Sequence, residues 1–167
     1  MKAIQLPALV KGPDDLRVAT LPDLQPSPSK YLIKIHAAAA NFFDNLQIQG
    51  KHQQKPPLPF IAGNEFSGEV LAVPTNANKS TLRFKVGDRV FGAGLGAFAT
   101  QILADEADLR PIPRGWSYLE ASSLFYTAPT AYAALILRAR AKKGELSPSE
   151  TRFPFLGVFF SFPPSRC

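Results

Sequence analysis

The chain is 167 residues long and 46% apolar, which suits one globular domain with a buried core and argues against a disordered chain. Nineteen basic against thirteen acidic side chains leave a net charge of +6, which favours anionic surfaces but reads as a solvated face rather than a nucleic-acid interface. One cysteine, Cys167, excludes an intrachain disulfide, and two histidines, His36 and His52, leave few soft ligands for zinc.

The opening MKAIQLPALVKGPDD carries no apolar run of signal-peptide length and soon meets acidic residues, so a cytoplasmic chain is expected. Short extended segments follow: KAIQL, LRVATL and YLIKIHAAA, where Tyr31, Ile33 and Ile35 alternate with Leu32, Lys34 and His36. GPDD and PSPSK separate them as turns. A first helix is predicted from Asn41 or Phe42 to Gln49, stopped by Gly50 and the prolines of KHQQKPPLP. PFIAGNEFSGEV, GDRVFG and AFATQILA continue the β-rich pattern. Gly63 and Gly68 flank Glu65 where the backbone turns or approaches another strand, and Glu65 itself is expected to accept hydrogen bonds inside the domain. Gly87-Asp88 reads as the turn before Arg89-Val90-Phe91.

At Ser117 the period changes. SYLE is a capping box of Ser117 and Glu120, which predicts a helix over 117–125. Thr127 is the cap expected for a second helix, with Pro129 in its first turn and an end near Lys143 and Gly144. Arg138, Arg140, Lys142 and Lys143 then sit at a helix C-terminus, where cations complement the dipole. Beyond Glu145 the periodicity is lost. FPFLGVFFSF, ten residues with Pro154 and Gly157, is short of the roughly 20 apolar residues of a spanning helix.

PFIAGNEFSGEV, KVGDRVFG, IPRGWSYLEASSLF and APTAYAAL occur in the order and spacing of the medium-chain dehydrogenase/reductase superfamily, and the chain resembles its zinc-independent, zeta-crystallin-like quinone oxidoreductase branch. The resemblance implies a mainly β fold with short helices. Residues 1–116 correspond to a GroES-like, partly open β-barrel, residues 117–145 to the helical start of a Rossmann domain that is missing, and 146–167 to a non-homologous, poorly ordered tail. LSPSETRFPFL stands where the glycine-rich phosphate loop is expected, so the chain reads as truncated. GLGAF, residues 94–98, lacks the third glycine of a dinucleotide fingerprint and lies between β-like segments.

By the same resemblance, zinc-dependent relatives carry metal ligands where this chain has Asn41 and Asn64, so no metal site is expected. The implied activity is NADPH-dependent hydride transfer to a quinone or enone, with the fragment inactive and its cofactor binding weak. The resemblance puts Asn41 and Thr130 at the nicotinamide, with Thr127 beside them; from the residues alone, Asn41 serves equally as a helix cap and Thr130 as a first-turn residue. The resemblance also points to Leu46, His52 and Tyr126 at the substrate pocket, with His52 a candidate proton donor; from the residues alone, His52 in KHQQK reads as a solvated surface residue and Tyr126 as core packing. Several relatives have tyrosines at the positions of Leu46 and His52, so substrate choice is open. An alternative is a non-enzymatic GroES-like module that pairs with a full-length relative. No membrane partner is expected, nucleic acid is disfavoured, and an uncovered apolar face predicts self-association.

Overall fold

The computed structural model describes residues 1–78 and 80–142. The chain divides into two units, Met1–Tyr126 and Thr127 onward. The expected tail, with Lys143, Gly144 and Glu145, lies outside the described residues.

The first unit is built on antiparallel strands. β1 (Lys2–Ala3), β2 (Gln5–Leu6) and β3 (Ala19–Thr20) are short, because Pro7 and the GPDD turn interrupt extended chain early. β4 (Tyr31–Ala39) is the longest strand, followed by β5 (Phe60–Ile61), β6 (Glu65–Ala72), β7 (Arg89–Ala93), β8 (Gln101–Ala104) and β9 (Leu109–Pro111). Five of them form one sheet in the order β8-β4-β6-β7-β9; β1 pairs with β3 and β2 with β5. The result is the mainly β, GroES-like architecture expected, with few and short helices.

The apolar alternation of β4 holds from Ile33 onward, while Leu32 is buried on the face where a polar period was predicted. Tyr31, Ile33, Phe66, Val70, Val90 and Leu109, all fully buried, anchor the main core. A second cluster of Leu6, Ile48, Phe60 and Ala62 seats the first helix against β2 and β5. Gly68 is where β6 meets β4: a Cβ there would lie 2.1 Å from the Lys34 carbonyl oxygen. Gly63, at φ +87°, turns the chain under Phe98, and the Gly96 and Ala97 amides of the GLGAF segment donate to its carbonyl at 2.9 and 3.0 Å. That segment closes a turn between β7 and β8.

Helix α1 (Phe42–Ile48) starts where expected and is followed by Gly50 at φ +68°. Helix α2 (Tyr118–Ala121) has the predicted cap, with Ser117 Oγ accepting from the Glu120 amide at 3.2 Å and the Glu120 carboxylate accepting from the Ser117 amide at 2.7 Å. It ends at Ala121, not residue 125, because Ser122 Oγ takes the Leu119 carbonyl and the chain passes into turns.

In the second unit α3 spans Thr127–Tyr132 and continues as π-helix over Ala133–Arg138. The predicted single α-helix to Lys143 is corrected on two counts. The Ala139 amide reaches back five residues to the Ala134 carbonyl, and Arg140 adopts φ +52°, which ends the helical path. Arg138 does occupy the last turn.

Candidate functional site

The β4–β6 register pairs Ala39 with Glu65, so the chain leaving β4 delivers Asn41 beside the start of β6. Asn41 is extended, φ −112° and ψ 157°, and is the N-cap of α1. Its amide donates to Asp44 Oδ2 at 2.7 Å, and its side-chain Nδ2 donates to Glu65 Oε2 at 3.0 Å.

Helix α1 buries Asp44, Gln47 and Ile48 on one face, the spacing of a single helical stripe. Two of these side chains are polar and need partners when removed from water. Asn64 supplies them: its Nδ2 donates to Asp44 Oδ1 at 2.7 Å and to Gln47 Oε1 at 3.0 Å. Burial pushes the Asp44 carboxyl above its ordinary range, opposed by these donors and reinforced by the neighbouring Glu65 charge. Glu65 is fully buried, and its Oε1 accepts from the Phe125 and Tyr126 amides at 2.7 and 2.8 Å. Among the described residues no buried side-chain nitrogen or oxygen lacks a partner.

An aromatic wall adjoins this network. The Phe43 ring meets Tyr126 edge-on at 5.8 Å and lies 5.9 Å from His52. The His52 amide donates to the Leu46 carbonyl at 3.2 Å, and its Nδ1 accepts from the Gln54 amide at 3.2 Å. Leu46 and His52 are half-buried, and Tyr126 is exposed to 41%. Burial, then the charges of Asp108 and Glu65, raise the Tyr126 phenol above its ordinary value, so it remains a donor at neutral pH.

Of the residues expected from sequence, Asn41 and Tyr126 meet through one carboxylate, Tyr126 and His52 through one ring, and Leu46 joins His52 through the backbone. Thr127 and Thr130 lie on α3 of the second unit. Phe43 was missed by the sequence reading, as was the linking role of Glu65. The aromatic spacing Phe43…His52…Tyr126 is the only sequence signal, and it is too irregular to single out.

The chemistry of this donor set suits a neutral carboxamide and a carbonyl oxygen. At Asn41 and Asn64 the amide nitrogens already donate to carboxylates or an amide oxygen, and among the described residues no three His, Cys, Asp or Glu side chains converge. None of α1, α2 and α3 is opened by a glycine-rich turn, so these described helices offer no glycine-rich pyrophosphate cradle. No described helix is long and apolar enough to cross a membrane.

Residues 27–114 match the alcohol dehydrogenase GroES-like domain. The chain is 40% identical over 119 residues to the rat "Quinone oxidoreductase-like protein 2", an alignment covering 71% of this chain and 33% of that protein. It is 37% identical over 132 residues to the mitochondrial "Enoyl-[acyl-carrier-protein] reductase" of Caenorhabditis elegans, covering 78% of this chain and 37% of the relative. A mycobacterial structure complexed with NADPH superposes with a TM-score of 0.73 at 30% identity, covering 86% of this chain and 43% of that one. The chain thus spans about a third of the length of the relatives it matches.

Proposed function

From a chain that belongs to the alcohol dehydrogenase GroES-like domain family, we propose the catalytic-domain portion of an NADPH-dependent, zinc-independent oxidoreductase that reduces a quinone or enone. The relatives are named for quinone and enoyl reduction, and a similar structure holds NADPH. The observation that carries the reading is the convergence of Asn41, Tyr126 and His52 through Glu65 and Phe43.

Bound NADPH supplies a hydride to an electrophilic carbon of the acceptor. The protein's part is orientation and polar stabilisation. Asn41 offers an uncharged amide to the nicotinamide side; Thr127 and Thr130, on α3 of the second unit, carry hydroxyls of the same uncharged hydrogen-bonding kind. Phe43 and Leu46 supply an apolar wall. The Tyr126 phenol donates to the acceptor oxygen, and His52, beside the Phe43 ring, is the candidate proton donor.

On this reading the chain binds NADPH weakly. Micromolar affinity requires about 8 kcal/mol, and neutral hydrogen bonds of about 1 kcal/mol net each do not reach it. The test is an NADPH titration read by amide and side-chain NMR, run beside an absorbance assay on a simple quinone. Millimolar saturation with shifts at Asn41 and Tyr126 is expected. Micromolar binding with steady NADPH consumption contradicts the weak-binding claim, and a titration silent at both residues contradicts the site.

A second reading, a binding module without catalysis that pairs with a full-length relative or itself, draws on Leu119, 76% exposed at α2, and on half-exposed Val86. Sedimentation of the chain alone and mixed with such a relative separates the two: a concentration-dependent complex without any NADPH response favours the module.

A further inference from the structure

One carboxylate holds three donors that belong to distant parts of the chain. Glu65 Oε2 takes the Asn41 side-chain nitrogen at 3.0 Å, and Oε1 takes the Phe125 and Tyr126 amides at 2.7 and 2.8 Å. These are charge-assisted bonds to a side chain fully removed from solvent. An ionised carboxylate only accepts, so it decides which end of the Asn41 amide faces it: the nitrogen. The other side of Asn41 is tied to the first turn of α1 through the capping box with Asp44. Phe43, next but one along that turn, then meets the ring of Tyr126, whose backbone the same carboxylate grips.

We propose that Glu65 is a positioning residue for the nicotinamide and acceptor side of the site, fixing the Asn41 carboxamide and the Tyr126 ring together without touching either ligand. This rests on the site reading above. Binding energy is then drawn from groups already oriented, and loosening Glu65 makes that orientation part of the cost of binding.

Glu65→Gln is the informative substitution, because it keeps shape and loses one acceptor. An amide cannot accept from Asn41 and from both backbone amides at once; its NH2 must face a donor. The probe is NADPH, added to the unaltered chain, to Glu65→Gln and to Ser67→Ala. Ser67 is also fully buried and donates to the Tyr118 carbonyl at 2.5 Å, so its loss lowers stability without reaching Asn41 or Tyr126. The expected result is a dissociation constant raised at least fivefold in Glu65→Gln, with the Asn41 side-chain NH2 resonances displaced before ligand is added. Ser67→Ala, despite a lowered Tm, keeps its constant within a factor of two.

An unchanged constant and unchanged Asn41 resonances in Glu65→Gln overturn the positioning role and leave the site reading standing. An unaltered chain whose Asn41 and Tyr126 ignore NADPH overturns the site reading and this role with it. Should Glu65→Gln fail to fold, Glu65→Asp takes its place: the carboxylate is kept but drawn back from the Asn41 nitrogen and the Phe125 and Tyr126 amides, the same rise in the dissociation constant is expected, and an unchanged constant with undisplaced Asn41 resonances overturns the proposal.

Discussion

The Tyr31 hydroxyl donates to the Glu106 carboxylate at 2.5 Å, joining the buried start of β4 to the short 3-10 turn before β9. Burial first, then that bond, pushes the phenol up to about 12, while the same bond holds Glu106 below the usual carboxylate range. The signs differ. Tyr31 favours its neutral form in the fold, so its contribution is complete below about 10 and is lost between about 10 and 12. Glu106 favours its ionised form, so its contribution is present above its unfolded value and is lost as pH falls through the folded one. Tyr31→Phe is expected to cost about 1 kcal/mol at neutral pH and to flatten the alkaline loss of stability. Denaturant unfolding from pH 7 to 11 checks it; an alkaline limb unchanged in the variant counts against the assignment.

Two glycines separate steric need from incidental use. A Cβ on Gly68 would press 2.1 Å from the Lys34 carbonyl oxygen and 2.9 Å from Ile33 Cγ2, both in the neighbouring strand. Relief requires β4 and β6 to part, so Gly68→Ala is expected to cost about 3 kcal/mol. Gly12 is extended and has nothing within 4 Å of an added Cβ, so Gly12→Ala is expected to stay within about 0.5 kcal/mol. Thermal melts of the two variants side by side test the contrast.

What the sequence made legible was mostly local. Ser117 and Glu120 lie three apart, so their capping box is written in adjacent letters; Gly63 and Gly68 announced a tight backbone beside Glu65, and both close approaches are present. Helix lengths failed where side chains compete with the ladder, as at Ser122, or where the turn widens to i→i+5 bonding after Tyr132. The links of Asn41, Glu65 and Phe125 span 24 and 60 residues, and the first depends on a β4–β6 pairing that shifts register along its length and sets Ala39 opposite Glu65. No local pattern carries that. The same holds for Asn64, whose place between Asp44 and Gln47 depends on how α1 lies against the strands.

Asn41 caps α1 and is proposed for the nicotinamide side, and its substitution separates the two roles. Asn41→Ala removes the N-cap side chain of α1 and the donor to Glu65 Oε2, so a loss of about 1–2 kcal/mol of stability is expected. Thr130→Val changes an exposed position on α3 and is expected to weaken NADPH binding with a smaller change in Tm. Melting curves and NADPH titrations of both variants are needed together. Parental NADPH response in both leaves these residues structural.

Asp44 sets the cost of burying charge against the number of acceptors. Its two oxygens accept from Asn64 Nδ2 and from the Asn41 amide, both at 2.7 Å. An asparagine there offers one acceptor and turns a donor toward a donor, so Asp44→Asn is expected to lose about 1–3 kcal/mol at neutral pH although it removes a buried charge. The pH dependence then distinguishes which effect governs the native carboxyl. Burial dominates and raises it above 3.8, so ionised Asp44 costs stability at neutral pH, and that cost is relieved as pH falls through the raised value, completely so below the unfolded one. The variant has no such titration. The gap between native chain and Asp44→Asn is therefore expected to widen on acidification from pH 7 toward 4, measured by denaturant midpoints at each pH. A gap that narrows instead means that the donors from Asn41 and Asn64 outweigh desolvation and hold the carboxylate ionised.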